Sequence, residues 1–227
     1  MLVDLSHTIE HGMTTYPGLP APLICDYLSR EASRSRYTGG ATFQIGRIDM
    51  VSNTGTYLDT PFHRYEDGID LAGLPLESVA GLPALRLTFF PGPDRAITRA
   101  RLDRAIGTRE IRGVAVLLHT GWDAHWRSER YGSPNPFLSS DGAELLLERG
   151  AALAGIDSVN IDDMQDLSRP VHTLLLRQGV PIVEHMTNLG RMAENGMRFY
   201  AVPPKVMGMG TFPVRAFATA SGPPRES

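Results

Sequence analysis

The sequence predicts a mixed α/β domain with a strand-rich centre, and three observations carry that expectation. Short apolar runs bounded by glycine or proline recur along the chain and outnumber the segments with helical periodicity. Strands and helices do not alternate strictly, which argues against a doubly wound nucleotide fold. No glycine-rich phosphate loop is present, since "GMGTF" at 208–212 lacks both the strand–loop–helix context and the lysine. A length of 227 residues suits one large domain, expected over 1–220, followed by a frayed polar tail "SGPPRES" at 221–227.

The elements follow in order. "MLVDLSHTI" at 1–9 alternates as an edge or half-buried strand does, and "GMTTYPGLPAP" at 12–22 is a turn-rich, ordered loop. "ATFQIGRIDMV" at 41–51 alternates and predicts a strand running into the next motif. "LPALRLTFF" at 82–90 and "GVAVLLHTGW" at 113–122 are short and apolar, as buried strands are. Between them "TRARLDRAI" at 98–106 is amphipathic, with Leu102 and Ile106 four apart. "SSDGAELLLERGAA" at 139–152 predicts a helix, with Ser139 or Ser140 as its cap and Gly150 near its end. "GIDSVNI" at 155–161 predicts a buried strand, "VHTLLLRQG" at 171–179 a helix closed by Gly179, and "VPIVEHM" at 180–186 a strand. The segment 198–219 predicts strands broken by glycine and proline.

Composition narrows the function classes. With 42% apolar and 21% charged residues the chain has an ordinary globular balance, and its net charge of −3 offers no basic field. Neither nucleic acid nor an anionic membrane is an expected partner, and no window approaches the about 20 apolar residues of a membrane helix. A single cysteine, Cys25, excludes an intrachain disulfide and is expected to be a small buried hydrophobe. The N-terminal segment has no basic start and no apolar run, so a cytoplasmic protein is expected.

Chemistry concentrates in "NTGTYLDTPFH" at 53–63, where Asp59 and His63 bracket a proline. Metal binding needs His, Asp and Glu converging from several elements. Candidates elsewhere are His172 at a helix start and Glu184 at a strand end, on a path of one helix, a turn and a return strand. Each has an ordinary alternative: Asp before Thr-Pro is a common turn residue, and a histidine at a helix start is often a cap. Glu184 is the least ordinary, because a carboxylate in an apolar strand is costly to bury without a cation or donor beside it. Asp157, Asp162 and Asp163 read as turn residues with a possible supporting role, and His185 is expected to point away from Glu184.

The same stretch resembles the signature HxGTHxDxPxH of the cyclase family of metal-dependent hydrolases, which includes kynurenine formamidase and isatin hydrolase. Gly55, Thr56, Asp59, Pro61 and His63 match, while Asn53 and Tyr57 replace two histidines. "DLSHTI", "YPG", "LLHTGW", "GIDSVNID", His172, Glu184 and "FPVRA" extend the resemblance over nearly the whole chain. The resemblance implies a swivelling β/β/α domain around a strand-rich, barrel-like sheet, assembled as a homodimer or homotetramer. It implies hydrolysis of a small amide, formamide or lactam substrate. It carries over Asp59, His172 and Glu184 as ligands of one divalent metal ion, zinc or manganese, and His63 as the acid/base histidine. Tyr16, Asn53 and Tyr57 fall at substrate-facing positions, and loss of the two histidines argues for one metal ion instead of two. The changed motif leaves two further expectations open. One is a metal-free small-molecule binding protein; the other is a lyase or cyclase using His63 and Tyr57 as acid and base.

Overall fold

The computed structural model describes residues 1–90, 92, 94–132 and 134–220; the tail at 221–227, expected to be frayed, lies outside the described residues. The strands are β1 (Leu2–Asp4), β2 (Leu23–Leu28), β3 (Ile45–Asp49), β4 (Tyr57–Asp59), β5 (Ala80–Thr88), β6 (Ala96–Ile97) and β7 (Ala115–His119). They continue with β8 (Phe137–Leu138), β9 (Leu153–Ile156), β10 (Ile182–Glu184), β11 (Met197–Tyr200), β12 (Thr211–Pro213) and β13 (Phe217–Ala220). The helices are α1 (Arg30–Ser33), α2 (Arg99–Ile106), α3 (Ser140–Glu148) and α4 (Pro170–Arg177).

Nine strands make one curled, half-barrel sheet in the order β1-β13-β11-β5-β7-β9-β10-β4-β12. Its centre, β5-β7-β9-β10, is parallel, and every strand outside that centre pairs antiparallel. The central strands are apolar at successive positions because both of their faces are covered. On β7, Val116 and Leu118 pack with Leu102, Leu146 and Leu175 of the helices, whereas Ala115 and Leu117 join Leu58, Val183 and Phe199 on the other side. The mixed α/β class and the barrel-like sheet are therefore as expected.

Several boundaries differ from the sequence reading. The strand expected over 41–51 is confined to β3, which pairs with β2 in a separate two-stranded ribbon instead of entering the main sheet. Cys25 lies exposed on β2, a correction to its expected burial. The strand expected over 155–161 ends at Ile156, and the residues after it turn. That break releases Asp157, Asn160 and Asp162 from the alternation of a strand. The segment around Asp59 is itself a strand, β4, clasped between β10 and β12.

Two glycines make that clasp possible. Gly55, with φ of 67°, turns the chain into β4, and a side chain there would strike Ile9. Gly210 lets the approach to β12 lie directly against the backbone of His63, and its carbonyl accepts from the Thr60 amide (2.7 Å). Gly210→Ala is expected to push these two segments apart and lower the unfolding free energy by about 1–3 kcal/mol. Chemical denaturation checks this, and an unchanged midpoint would show that the close approach is not needed.

Candidate functional site

Antiparallel register between β4 and β10 sets Tyr57 opposite Glu184 and Asp59 opposite Ile182. With side chains alternating along each strand, Tyr57, Asp59 and Glu184 share the face on which α4 packs. Helix α4 opens with Pro170 as its first residue, which leaves the next two amides needing acceptors. Asp162 supplies them from the turn after β9: Oδ1 accepts from Val171 N (2.7 Å) and Oδ2 from His172 N (3.2 Å). The same Oδ2 lies 2.6 Å from His172 Nδ1. Capping the helix and orienting the imidazole are thus one act, and the other ring nitrogen, Nε2, is turned toward the strands. Asp162 is held in turn by Asn160, whose Oδ1 accepts from its amide (2.9 Å).

His172 Nε2 stands 3.6 Å from Asp59 Oδ2 and 3.6 Å from Glu184 Oε1. One ligand atom from each of the three residues falls within 4.8 Å of the others, and all three residues are buried. Glu184 is pinned at both oxygens, accepting from Ile161 N (2.6 Å) and from the Tyr57 hydroxyl (2.8 Å). Asp59 Oδ1 accepts from Thr211 Oγ1 (2.5 Å), whereas Asp59 Oδ2 is buried with no hydrogen-bond partner. An unpartnered buried carboxylate oxygen is costly unless something else compensates it.

The electrostatics point the same way. Burial disfavours a charged His172, but the carboxylates of Glu184, Asp162 and Asp59 outweigh it and push its pKa up to about 10. Burial raises Glu184 to about 7 against the pull of His172. Burial works against ionised Asp59 as well, yet the histidines and Thr211 bring its pKa below the usual carboxylate range. The carboxylates thus draw positive charge to His172, a demand that a proton meets here and that a bound cation would meet in its place. Spacing agrees: ligands about 2.1 Å from a tetrahedral ion stand about 3.4 Å apart. One nitrogen and two carboxylates are a donor set suited to a divalent ion, and the residues present fit it.

Asp59 lies buried beside His172 and Glu184, which line a cavity of about 390 Å³, a size suited to a small molecule. Tyr16, Asn53, Tyr57, His63, His172 and Glu184 all line it. His63, about one-third exposed, brings Nε2 to 3.8 Å from Asp59 Oδ1, and its Nδ1 lies 2.8 Å from Thr211 Oγ1. Thr211 has a single hydroxyl proton, and Asp59 takes it. The hydroxyl must then accept from His63 Nδ1–H, which leaves the lone pair on Nε2. Tyr57 is fully buried, with its hydroxyl committed to Glu184 and its pKa driven well above the ordinary value by burial and by the Glu184 and Asp59 charges. That state argues against Tyr57 as an acid or base in a lyase or cyclase. His185 lies apart from the ligand atoms, with Nδ1 2.9 Å from the Tyr131 hydroxyl.

Sequence reasoning missed three contributors. Thr211 bridges Asp59 and His63 from a strand far along the chain, and no local signal marks it. Arg64 and Arg169 also line the cavity. Arg169 carried a signal, because a cation just before a helix-opening proline opposes the helix dipole. Asp162, read as a turn residue with a possible supporting role, is the acceptor that aims His172.

Comparison with known proteins accords with this geometry. A family model described as "Putative cyclase" matches residues 3–163. Kynurenine formamidase of Bacillus cereus is 29% identical over 220 residues, spanning 94% of this chain and 95% of that one. Kynurenine formamidase of Bacillus mycoides is 28% identical with the same coverage. Isatin hydrolase A from Labrenzia aggregata, solved with benzyl benzoate, superposes with a TM-score of 0.81 at 21% identity. That match covers 98% of this chain and 94% of the other, and it shows a shared fold.

The Asp162 carboxylate serves three buried donors at once. Asp162→Ala is expected to cost at least about 1–3 kcal/mol, the penalty of leaving a buried donor unpaired. It should also abolish the protected His172 Nδ1–H resonance in proton NMR. A variant with unchanged stability and that resonance intact would refute the capping role.

Proposed function

We propose that this chain, which belongs to the Cyclase family, is a metal-dependent hydrolase of a carbon–nitrogen bond, other than a peptide bond, in a small amide, formamide or lactam. The observation that carries the reading is the convergence of Asp59, His172 and Glu184 around the unpartnered Asp59 Oδ2, with His172 and Glu184 lining a cavity. The naming of the Bacillus relatives as kynurenine formamidases supports an aryl formamide as substrate. Asp59, His172 and Glu184 would hold one divalent ion, zinc or manganese. When bound, such an ion polarises a carbonyl and makes water a better acid.

The remaining work falls to the chain's own groups. His63 Nε2, holding the lone pair, takes a proton from the water that adds to the carbonyl carbon. It returns that proton to the nitrogen as the carbon–nitrogen bond breaks, so the amine leaves neutral. Thr211 keeps the lone pair on Nε2. Tyr57 donates to Glu184 where the family motif has a histidine, which supports one ion instead of two. Tyr16 and Asn53 offer the substrate a ring face and an amide. A cytoplasmic location belongs to the same reading and rests on the single cysteine; among the described residues no helix is long and apolar enough to cross a membrane.

A homo-oligomer, a dimer or tetramer, completes the proposal. The ribbon of β2 and β3 stands outside the main sheet with Leu23, Ile24, Tyr27, Ile45 and Ile48 exposed. So large an apolar surface on one element is characteristic of an interface. The family resemblance implies a homo-oligomer, so we assign a second copy of this chain as the occupant of this surface.

Metal analysis of purified protein is expected to find close to one divalent ion per chain, lost in Asp59→Asn and Glu184→Gln together with activity; retention in both variants would sink the ligand assignment. His63→Ala should keep the ion while turnover falls about 10²- to 10⁴-fold, and Thr211→Val should also slow turnover without loss of the ion. Light scattering should give a mass of at least two chains, shifted toward one chain by Ile48→Asp with Tyr27→Ser. A wild type of one-chain mass would exclude the assembly.

A further inference from the structure

We propose that Asn135 is a positioning residue for the metal-binding cluster: its side-chain amide fixes the turn at 160–162 that holds both Glu184 and His172. The inference deepens the hydrolase reading and rests on it for the role of the cluster. Its own support is a set of hydrogen bonds that pass through single peptide groups.

Asn135 is fully buried and is not among the residues that line the cavity. Its Nδ2 donates to the carbonyls of Asn160 (3.0 Å) and Asp162 (3.0 Å), with Pro136 O and Ser158 Oγ farther off at 3.2 Å and 3.4 Å. Its Oδ1 accepts from Met164 N (3.4 Å). Carbonyls at one end and an N–H at the other leave the amide a single workable orientation. The carbonyl between those two, on Ile161, accepts from Leu138 N (2.8 Å). Three consecutive carbonyls of the turn are thus taken by the segment 135–138. Arg95 ties that segment from outside, donating Nη1 to Asn135 O (2.9 Å) and pairing through Nη2 with the Asp163 carboxylate (3.1 Å).

Peptide planarity carries this grip to the cluster. A trans peptide points its C=O and its N–H in opposite directions. The peptide joining Asn160 to Ile161 receives the Asn135 amide on its carbonyl and gives its N–H to Glu184 Oε1 (2.6 Å). The next peptide receives Leu138 N on Ile161 O and gives the Asp162 N–H to Asn160 Oδ1 (2.9 Å). Asp162, held by its own amide and its own carbonyl, presents its carboxylate to His172 Nδ1 (2.6 Å). One side chain from a distant segment therefore sets the donor on one ligand and the acceptor on another. Hydrogen bonds in series also polarise one another, which strengthens the N–H on Glu184. The chain forms neither strand nor helix between Ile156 and Pro170, so its shape there depends on such bonds.

The test compares Asn135→Ala and the near-isosteric Asn135→Asp, which keeps the acceptor but removes the donors, with Leu102→Ala, a core truncation on α2. Each full-length protein is stripped of metal and titrated with zinc against a chromophoric chelator. Both Asn135 variants are expected to bind zinc about 10- to 100-fold more weakly than the wild type, the loss associated with removing support from a metal ligand. Leu102→Ala should lower the denaturation midpoint and leave zinc affinity unchanged. Amide exchange in the metal-free protein reads the staple directly. The Ile161 N–H should exchange about tenfold faster in the Asn135 variants than in Leu102→Ala, the equivalent of one lost hydrogen bond. Wild-type zinc affinity in both Asn135 variants, or Ile161 exchange no faster than in Leu102→Ala, overturns the proposal and leaves Asn135 a contributor to stability alone. If the wild type itself binds no zinc, the metal-dependent reading fails, and the exchange of Ile161 in the metal-free protein decides the positioning role by the same comparison.

Discussion

Three ionisable side chains drawn from three elements share one buried point, and much of the local architecture answers the cost of putting them there. Asp59, His172 and Glu184 carry two potential negative charges against one imidazole. Taking such groups out of water is unfavourable unless each is hydrogen-bonded or paired. The protein meets that demand almost completely. Ile161 and Tyr57 satisfy Glu184, Asp162 holds the imidazole, and Thr211 serves one oxygen of Asp59. The single oxygen left over lies 3.6 Å from His172 Nε2, and that remainder distinguishes this candidate cation site from a sealed polar core.

The sheet supplies the positions. Its parallel centre is apolar on both faces and buried between two clusters of side chains, so it forms a rigid reference. At its end β10 meets the antiparallel β4 and then β12. Two of the three ligands come from that pair, and the third comes from the helix that packs over it. Glycine at 55 and 210 allows the backbone to close around β4 where any side chain would intrude. Rigid strands and a capped helix suit a site that must hold its ligands ready before any ion arrives.

Tyr57 shows how a motif can change without collapsing. A histidine at that position would offer a nitrogen; tyrosine offers a proton to Glu184 instead. The phenol fills the buried space and fixes the carboxylate by hydrogen bonding, so the surviving ligand set keeps its geometry. His63 gains from the same economy of contacts. Its tautomer is set by Thr211, which is itself fixed by Asp59, so Asp59 and His63 share one hydrogen-bonded chain.

Much of this was legible in the sequence. Apolar runs and caps located the buried strands and α2, α3 and α4 within a few residues, because burial and helix termini impose local patterns. Glu184 stood out as a carboxylate within an apolar strand, and Asp59, His63 and His172 stood out by residue type and motif. Tertiary structure alone decided the rest. It took β3 out of the main sheet, turned the chain after Ile156 so that Asp162 could grip His172, and brought Thr211 beside Asp59 across 152 positions. It also placed Arg64 and Arg169 on one cavity. Local sequence encodes which face of an element is apolar, but which side chains meet across elements depends on register and packing, and those are properties of the whole chain.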